Sequence, residues 1–340
     1  MINRIKDVIH LFRALTLYKV FNAAWVGLHF VISKRNKWNR HHGLPISMSV
    51  EPTTACNLGC PECPSGLKKF SRPTGNIKMH DFEKWMSEWS RHIIYLNFYF
   101  QGEPFIHPQI IAMIKRAHQK KVYTSVSTNG HFLQDTMVSK IIESGLDRII
   151  ISMDGFSQEV YEQYRVHGDV KQVMEGVSRL VSARRKARTS RPYIILQTLV
   201  VKPNESELND IKKWALEIGA DEVKWKTAQL YEPSGDHPLM PTQDKYRRYR
   251  ENESGEWVIK NQLEDHCWRL WSSCVVTWDG RVVPCCFDKD ASYDMGNLHH
   301  HSLTEIWQNE LYMSFREKVL TSRKQVDICS NCSEGTRVWT

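Results

Sequence analysis

Between residues 46 and 232 short stretches of strand character alternate with helical segments, and this alternation limits the fold more than any other feature of the chain. Ile46 to Val50, Ile93 to Phe100, Val122 to Ser127, Arg148 to Met153, Tyr193 to Val201 and Glu222 to Thr227 read as six strands. Helices are expected at Phe82 to Trp89, Pro108 to Lys120, Asp135 to Ser144, Val170 to Lys186 and Glu205 to Ile218, with Gly145 and Gly219 as C-terminal caps. Strands alternating with helices imply a parallel sheet wound right-handedly, and six units imply an α/β fold built on an open, partial (β/α)6 barrel of the TIM type. Chemistry in such a barrel belongs at the C-terminal ends of its strands.

The first strand runs into Glu51-Pro-Thr-Thr-Ala-Cys56-Asn-Leu-Gly-Cys60-Pro-Glu-Cys63-Pro. This Cys-x3-Cys-x2-Cys spacing brings three thiolates, not four, to one loop. A structural zinc or an electron-transfer cluster is normally closed by a fourth protein ligand, whereas an iron left without one can take a substrate or cofactor. Two plainer readings stand beside that one: small buried apolar residues, or part of a zinc site completed from elsewhere.

Later strand ends carry polar groups suited to a ligand. The second stops at Gln101-Gly102-Glu103-Pro104, where glycine lets a ligand approach the backbone and Glu103 can accept a hydrogen bond from an ammonium. The third ends in Ser127-Thr128-Asn129-Gly130 and the fourth in Ser152-Met153-Asp154-Gly155, sequences that also serve as ordinary turns. Arg165 is either a two-pronged carboxylate clamp or half of a surface ion pair. Gln197 and Lys226 project into the barrel if the strand phase allows it.

The nine cysteines fall as three near the N-terminal side and six after residue 266, unlike the even spread of a secreted disulfide framework. Metal ligation in a reducing cytoplasm fits better. Residues 233–265 break the alternation with Pro233, Gly235, Pro238, Pro241 and a charged run from Asp244 to Glu253, and read as a connecting segment. A cysteine-rich piece, 266–340, follows, with strands at Val275 to Trp278 and Arg281 to Val283 joined through Asp279-Gly280, then a helix around Leu303 to Val319. Four of Cys267, Cys274, Cys285, Cys286, Cys329 and Cys332 would close a sulfur site, whether an iron-sulfur cluster or a zinc ribbon. His299, His300 and His301 read as solvated loop residues.

The formal net charge of +8 sits almost wholly at the start of the chain. Residues 1–45 hold Arg4, Lys6, Arg13, Lys19, Lys34, Arg35, Lys37 and Arg40 against Asp7 alone, so overall basicity gives no ground for nucleic-acid binding. Residues 5–33 also space Ile5, Val8, Ile9, Phe12, Leu15 and further apolar residues mostly three and four apart. A basic amphipathic arm, 1–45, is therefore expected, lying on an anionic membrane surface, covering a barrel end or meeting a second subunit. Lys19, Asn22 and His29 argue against its spanning a bilayer. With no secretory signal pattern and no run of 18 uncharged apolar residues, a cytoplasmic chain, soluble or peripheral at the inner membrane surface, is expected.

The Cys56-Cys60-Cys63 loop, placed after a strand, resembles the signature of the radical S-adenosylmethionine (SAM) enzymes. The resemblance implies a 4Fe-4S cluster on these cysteines whose open iron chelates SAM and cleaves it reductively, giving a 5′-deoxyadenosyl radical that abstracts hydrogen from a substrate. It further implies that Gly102 and Glu103 hold the SAM amino group, with Gln101 replacing the first glycine of the family's Gly-Gly-Glu-Pro motif. Ser152 and Arg165 would contact SAM, and Asn129 would face its cavity; no residue is singled out as catalytic. Glu62 departs from the pattern, because the residue before the third cysteine is often aromatic and touches the adenine.

The C-terminal run resembles the SPASM or twitch domain of these enzymes. That implies one auxiliary 4Fe-4S cluster on Cys267, Cys285, Cys329 and Cys332, with Cys274 and Cys286 left as packing residues or substitutes. Family members with this appendage modify peptides and proteins, so a peptide or protein is the first expected substrate and a flavodoxin or ferredoxin the expected electron donor. Twitch relatives keep open a radical dehydrogenase of a small sugar-like metabolite. A noncatalytic iron-sulfur or zinc scaffold is the reading from another class.

Overall fold

The computed structural model describes residues 2–332. Two helices, α1 (Ile2–Arg13) and α2 (Leu17–Asn36), open the chain at 99° to one another, and Thr16 caps the second through the Lys19 amide. Six strands follow: β1 (Ser47–Val50), β2 (Tyr95–Asn97), β3 (Tyr123–Thr128), β4 (Arg148–Ser152), β5 (Tyr193–Val200) and β6 (Glu222–Thr227). Each pairs in parallel with the next. Between them run α3 (Pro64–Leu67), α4 (Met79–Trp89), α5 (Ile110–Gln119), α6 (Asp135–Ser144), α7 (Gln158–Tyr164), α8 (Val170–Lys186) and α9 (Leu208–Ile218). Gly145 and Gly219 take the left-handed conformation at the ends of α6 and α9, as their spacing predicts.

Strand side chains alternate between two faces. Leu96, Val126, Ile149, Ile151, Ile194 and Leu196 pack outward into one core with Phe82, Ile114, Ile141 and Val177 of the helices. The alternate residues, among them Ser125, Ser152 and Gln197, face the concave side. Gln197 lies beside Lys224 in the ladder and Leu199 beside Lys226, so Gln197 and Lys226 share that face.

The second expected strand is cut short. After Phe98, whose amide still reaches the Ser125 carbonyl, the chain turns into the Gln101-Gly102 bend. The expected connecting segment, 233–265, contains a hairpin of β7 (Tyr249–Glu251) and β8 (Trp257–Ile259), which its charged residues did not signal. Next come α10 (Trp268–Ser272), β9 (Ser273–Val276) and β10 (Val282–Val283). Strand β9 pairs in parallel with β1, so the cysteine-rich piece continues the barrel sheet, whose order is β10-β9-β1-β2-β3-β4-β5-β6. The expected helix at Leu303 to Val319 is two, α11 (Leu303–Trp307) and α12 (Glu310–Ser322), because Asn309 accepts the Tyr312 amide and starts a new helix. The described chain closes with α13 (Asp327–Ser330); residues 333–340 of the expected C-terminal piece lie outside the described residues.

The arm forms, but with its polar face inward. Asp7 pairs with Arg148 and accepts from the Tyr123 hydroxyl, while Arg148 lies among the rings of Tyr95, Tyr123 and Tyr193. Lys19 Nζ donates to the Lys121 carbonyl at 2.6 Å and to the Ala14 carbonyl at 3.1 Å, and Asn22 makes two 2.9 Å bonds with the Leu44 backbone. These partners sit at the N-terminal ends of the strands, where buried carbonyls and an arginine need polar company more than apolar cover.

Candidate functional site

At the opposite, C-terminal ends of the strands the cysteine loop is fastened to its neighbours. The Glu103 amide donates to the Ala55 carbonyl at 2.8 Å, and the Gly102 amide donates to Ser65 Oγ at 2.8 Å. Gly102 has a φ of 75°, and a Cβ there would lie 2.3 Å from the Thr53 carbonyl oxygen. Glycine is required by the close approach of the cysteine loop itself, where the sequence reading placed a ligand.

Glu103 lies inside this junction. Its carboxylate accepts from Thr128 Oγ1 at 2.8 Å, the Asn129 amide at 2.7 Å and the Phe105 amide at 3.1 Å. Burial raises its carboxyl to about 7 in spite of these donors. Asn129 in turn donates from Nδ2 to Asn57 Oδ1 at 2.8 Å, with Cys56 Sγ at 4.0 Å. Thus Glu103 and Asn129 link β2 and β3 to the first cysteine.

Arg165 is no surface residue. Its Nε donates to Asp154 at 2.6 Å and its Nη1 to Cys60 Sγ at 3.7 Å. Asp154 is fully buried and also accepts the Leu199 amide. A guanidinium so held stands beside the middle cysteine with donors remaining. Ser152, at the end of β4, faces the same concave side, next to Gln197 in the ladder.

The three thiols share one electrostatic environment. Burial pushes the Cys56 thiol up to about 11, and Glu103, Cys60 and Cys63 add to the rise. Burial also raises Cys60, opposed by Arg165. A bound iron-sulfur cluster would offset that cost by holding the thiolate form, so the donor set suits a metal. An open cavity of about 510 Å³, bordered by Thr54, Cys56, Ser65, Lys68, Phe70 and Asn76, adjoins the loop.

Glu62, at the departing position, accepts the Tyr231 amide at 2.7 Å and lies 3.7 Å from His237 Nε2. Lys289, from the C-terminal piece, stands 5.2 Å over the Tyr231 ring and near Cys63. Tyr231, His237, Lys289 and Asp154 were not picked out as site residues from sequence. Only Asp154, inside the quoted Ser-Met-Asp-Gly turn, carried a signal; the others arrive through long-range packing.

The later cysteines divide cleanly. Cys267, Cys285, Cys329 and Cys332 line one enclosed cavity together with Leu270, Phe287, Phe315 and Ile328. Cys274 is buried in β9 within the main core, and Cys286 is exposed. Arg323 reaches the cavity, with Nη2 3.4 Å from Cys332 Sγ and its Nη1 donating to the His266 carbonyl. Among the described residues no three Cys, His, Asp or Glu side chains converge tightly enough for a single ion. A cubane spreads its thiolates over several irons and does not need that convergence.

Comparison with known proteins agrees with this geometry. Residues 50–215 match the Radical SAM superfamily, and residues 267–333 match SPASM, an iron-sulfur cluster-binding domain. A tungsten-containing aldehyde ferredoxin oxidoreductase cofactor-modifying protein from Pyrococcus furiosus is 25% identical over 84% of this chain and 86% of its own. PqqA peptide cyclase from Gluconobacter oxydans is 24% identical over 87% and 84%. Streptococcus suis SuiB bound to S-adenosylmethionine shares the fold with a TM-score of 0.63 at 13% identity, over 92% of this chain and 77% of SuiB. SuiB bound to the precursor peptide SuiA gives 0.62 at 12%, over 85% and 70%.

Proposed function

From the premise that this chain is a radical SAM enzyme carrying a SPASM domain, we propose that it modifies a peptide or protein by abstracting hydrogen from it. Bound at Cys56, Cys60 and Cys63, a 4Fe-4S cluster with SAM supplies reductive cleavage to a 5′-deoxyadenosyl radical. The observation that carries the proposal is a three-thiol loop at the C-terminal ends of the strands, with Arg165 held by Asp154 beside Cys60. In this proposal Arg165 offers its free N–H groups to the SAM carboxylate, and Gly102, Glu103, Asn129 and Ser152 complete the cradle. Gln197 and Lys226, on the same concave face, contact the substrate. Cys267, Cys285, Cys329 and Cys332 hold the auxiliary cluster, with Arg323 offsetting its negative charge.

The peptide assignment draws on PqqA peptide cyclase and on SuiB, which binds a precursor peptide. A reduced flavodoxin or ferredoxin would supply the electron in the cytoplasm, with the arm in peripheral contact with the inner membrane. Anaerobic reconstitution, then dithionite and SAM, should release 5′-deoxyadenosine. Protein that holds its clusters and releases none is a scaffold. A peptide pool should then show SAM-dependent mass changes; changes in small metabolites alone would contradict a peptide substrate.

A further inference from the structure

The N-terminal helix pair buries its polar side and leaves its apolar side bare. Phe12 is 65% exposed, Leu17 80%, Phe21 71% and Val31 60%, whereas Lys19 is 1% exposed. Apart from Leu216, Tyr231, Trp268 and Leu311, every exposed large apolar side chain among the described residues belongs to residues 5–38. Monomers in water seldom leave a patch of more than about a few hundred Å² uncovered. Covering so many large apolar side chains is strongly favourable, so a face of this size has an occupant.

Charge identifies the occupant. Arg4, Lys6, Arg13 and Arg35 are exposed on the same two helices, and Lys34 is exposed too, 3.8 Å from Glu264. Asp7, the one acid of the arm, is buried against Arg148 and offers nothing to a cation. A second copy of the chain meeting this face through a two-fold axis would set those basic side chains against their own copies. An anionic lipid surface satisfies both features, with the apolar side chains among the acyl boundary and the lysines and arginines at the headgroups. Exposed Trp25 and Trp38 are the aromatic type that membrane interfaces favour. No single helix among the described residues is long and apolar enough to cross a membrane; α1 and α2 together have the length and composition of a bent span, but the buried bonds of Asp7, Lys19 and Asn22 to the barrel oppose it.

We propose that α1 and α2 lie in the plane of an anionic membrane surface and fix the orientation of the barrel on it. The arm is bonded to Leu44, Lys121, Tyr123 and Arg148, all at the N-terminal strand ends, while the cysteine loop sits at the C-terminal ends. Strands of this length separate the two ends by about 15–20 Å. Docking therefore turns the catalytic opening away from the bilayer and toward the aqueous phase. Delivery of a water-borne peptide rests on the function proposed above; the docking does not.

Flotation of the reconstituted, full-length protein with vesicles tests the proposal independently of SAM cleavage. The protein should float with phosphatidylcholine vesicles containing phosphatidylglycerol, far less with phosphatidylcholine alone, and progressively less as salt is raised. The double substitution Phe12→Ser/Phe21→Ser should weaken binding about tenfold or more, since two apolar anchors are lost. Lys34→Glu/Arg35→Glu should weaken it through charge, and Leu311→Ser, outside the arm, should leave it unchanged. Near-ultraviolet circular dichroism and cluster absorbance check that each variant is folded. Failure to float with anionic vesicles, or a dimer in ultracentrifugation that Phe12→Ser/Phe21→Ser dissociates, overturns the proposal.

Discussion

The two thiol sites of this molecule differ in how the chain assembles them. Cys56, Cys60 and Cys63 come from one loop between β1 and α3, tied down by Gly102, Glu103 and Asn129. Cys267, Cys285, Cys329 and Cys332 come from three separate stretches and meet in an apolar cavity. A local loop with three donors leaves coordination incomplete and borders an open cavity; a nonlocal set of four completes coordination and encloses it. One arrangement suits chemistry on a bound ligand, the other electron storage or structural closure.

Several substitutions would break or sharpen that contrast. The largest effect is expected for Cys60→Ala, which should reduce SAM cleavage below detection while the auxiliary absorbance persists. Retained cleavage would remove Cys60 from the ligand set. Cys329→Ala should lower iron from about eight to about four per chain, since one of two 4Fe-4S units is lost, yet leave substrate-free SAM cleavage in place. Loss of SAM cleavage in Cys329→Ala would mean that the sites are not separable. Arg165→Lys keeps a charge but loses the planar fork, and should weaken SAM binding about tenfold in equilibrium titration.

The smallest expected effect lies at the other end of the sheet. His41 donates from Nε2 to the Trp271 carbonyl, and burial, aided by Arg316, lowers its pKa from 6.5 to about 3. Between those values the unfolded chain binds a proton that the folded chain excludes. The stability from keeping His41 neutral is thus present above about 6.5 and is lost as the pH falls toward 3. His41→Gln should flatten the dependence of unfolding free energy on pH near pH 5 by about 1.4 kcal/mol per pH unit. An unchanged slope would show that His41 titrates normally.

Much of this was legible from local pattern. All six barrel strands, the α6 and α8 boundaries and the three-thiol loop follow from periodicity and spacing, which are short-range properties. What escaped was long-range. Periodicity located the apolar face of the arm, yet only the Tyr123–Arg148 end of the barrel decides that the opposite face is buried. Likewise Arg165 pairs with Asp154 from the preceding strand end, and β9 docks on β1 across more than half of the chain.

The open coordination position at the first thiol site is tested most directly by electron paramagnetic resonance of the dithionite-reduced protein with and without SAM. SAM should shift the spectrum of one reduced cluster in the wild type and in Cys329→Ala, and this response should vanish in Cys60→Ala. A wild-type spectrum indifferent to SAM, with both clusters assembled, would show that no iron there has an open position.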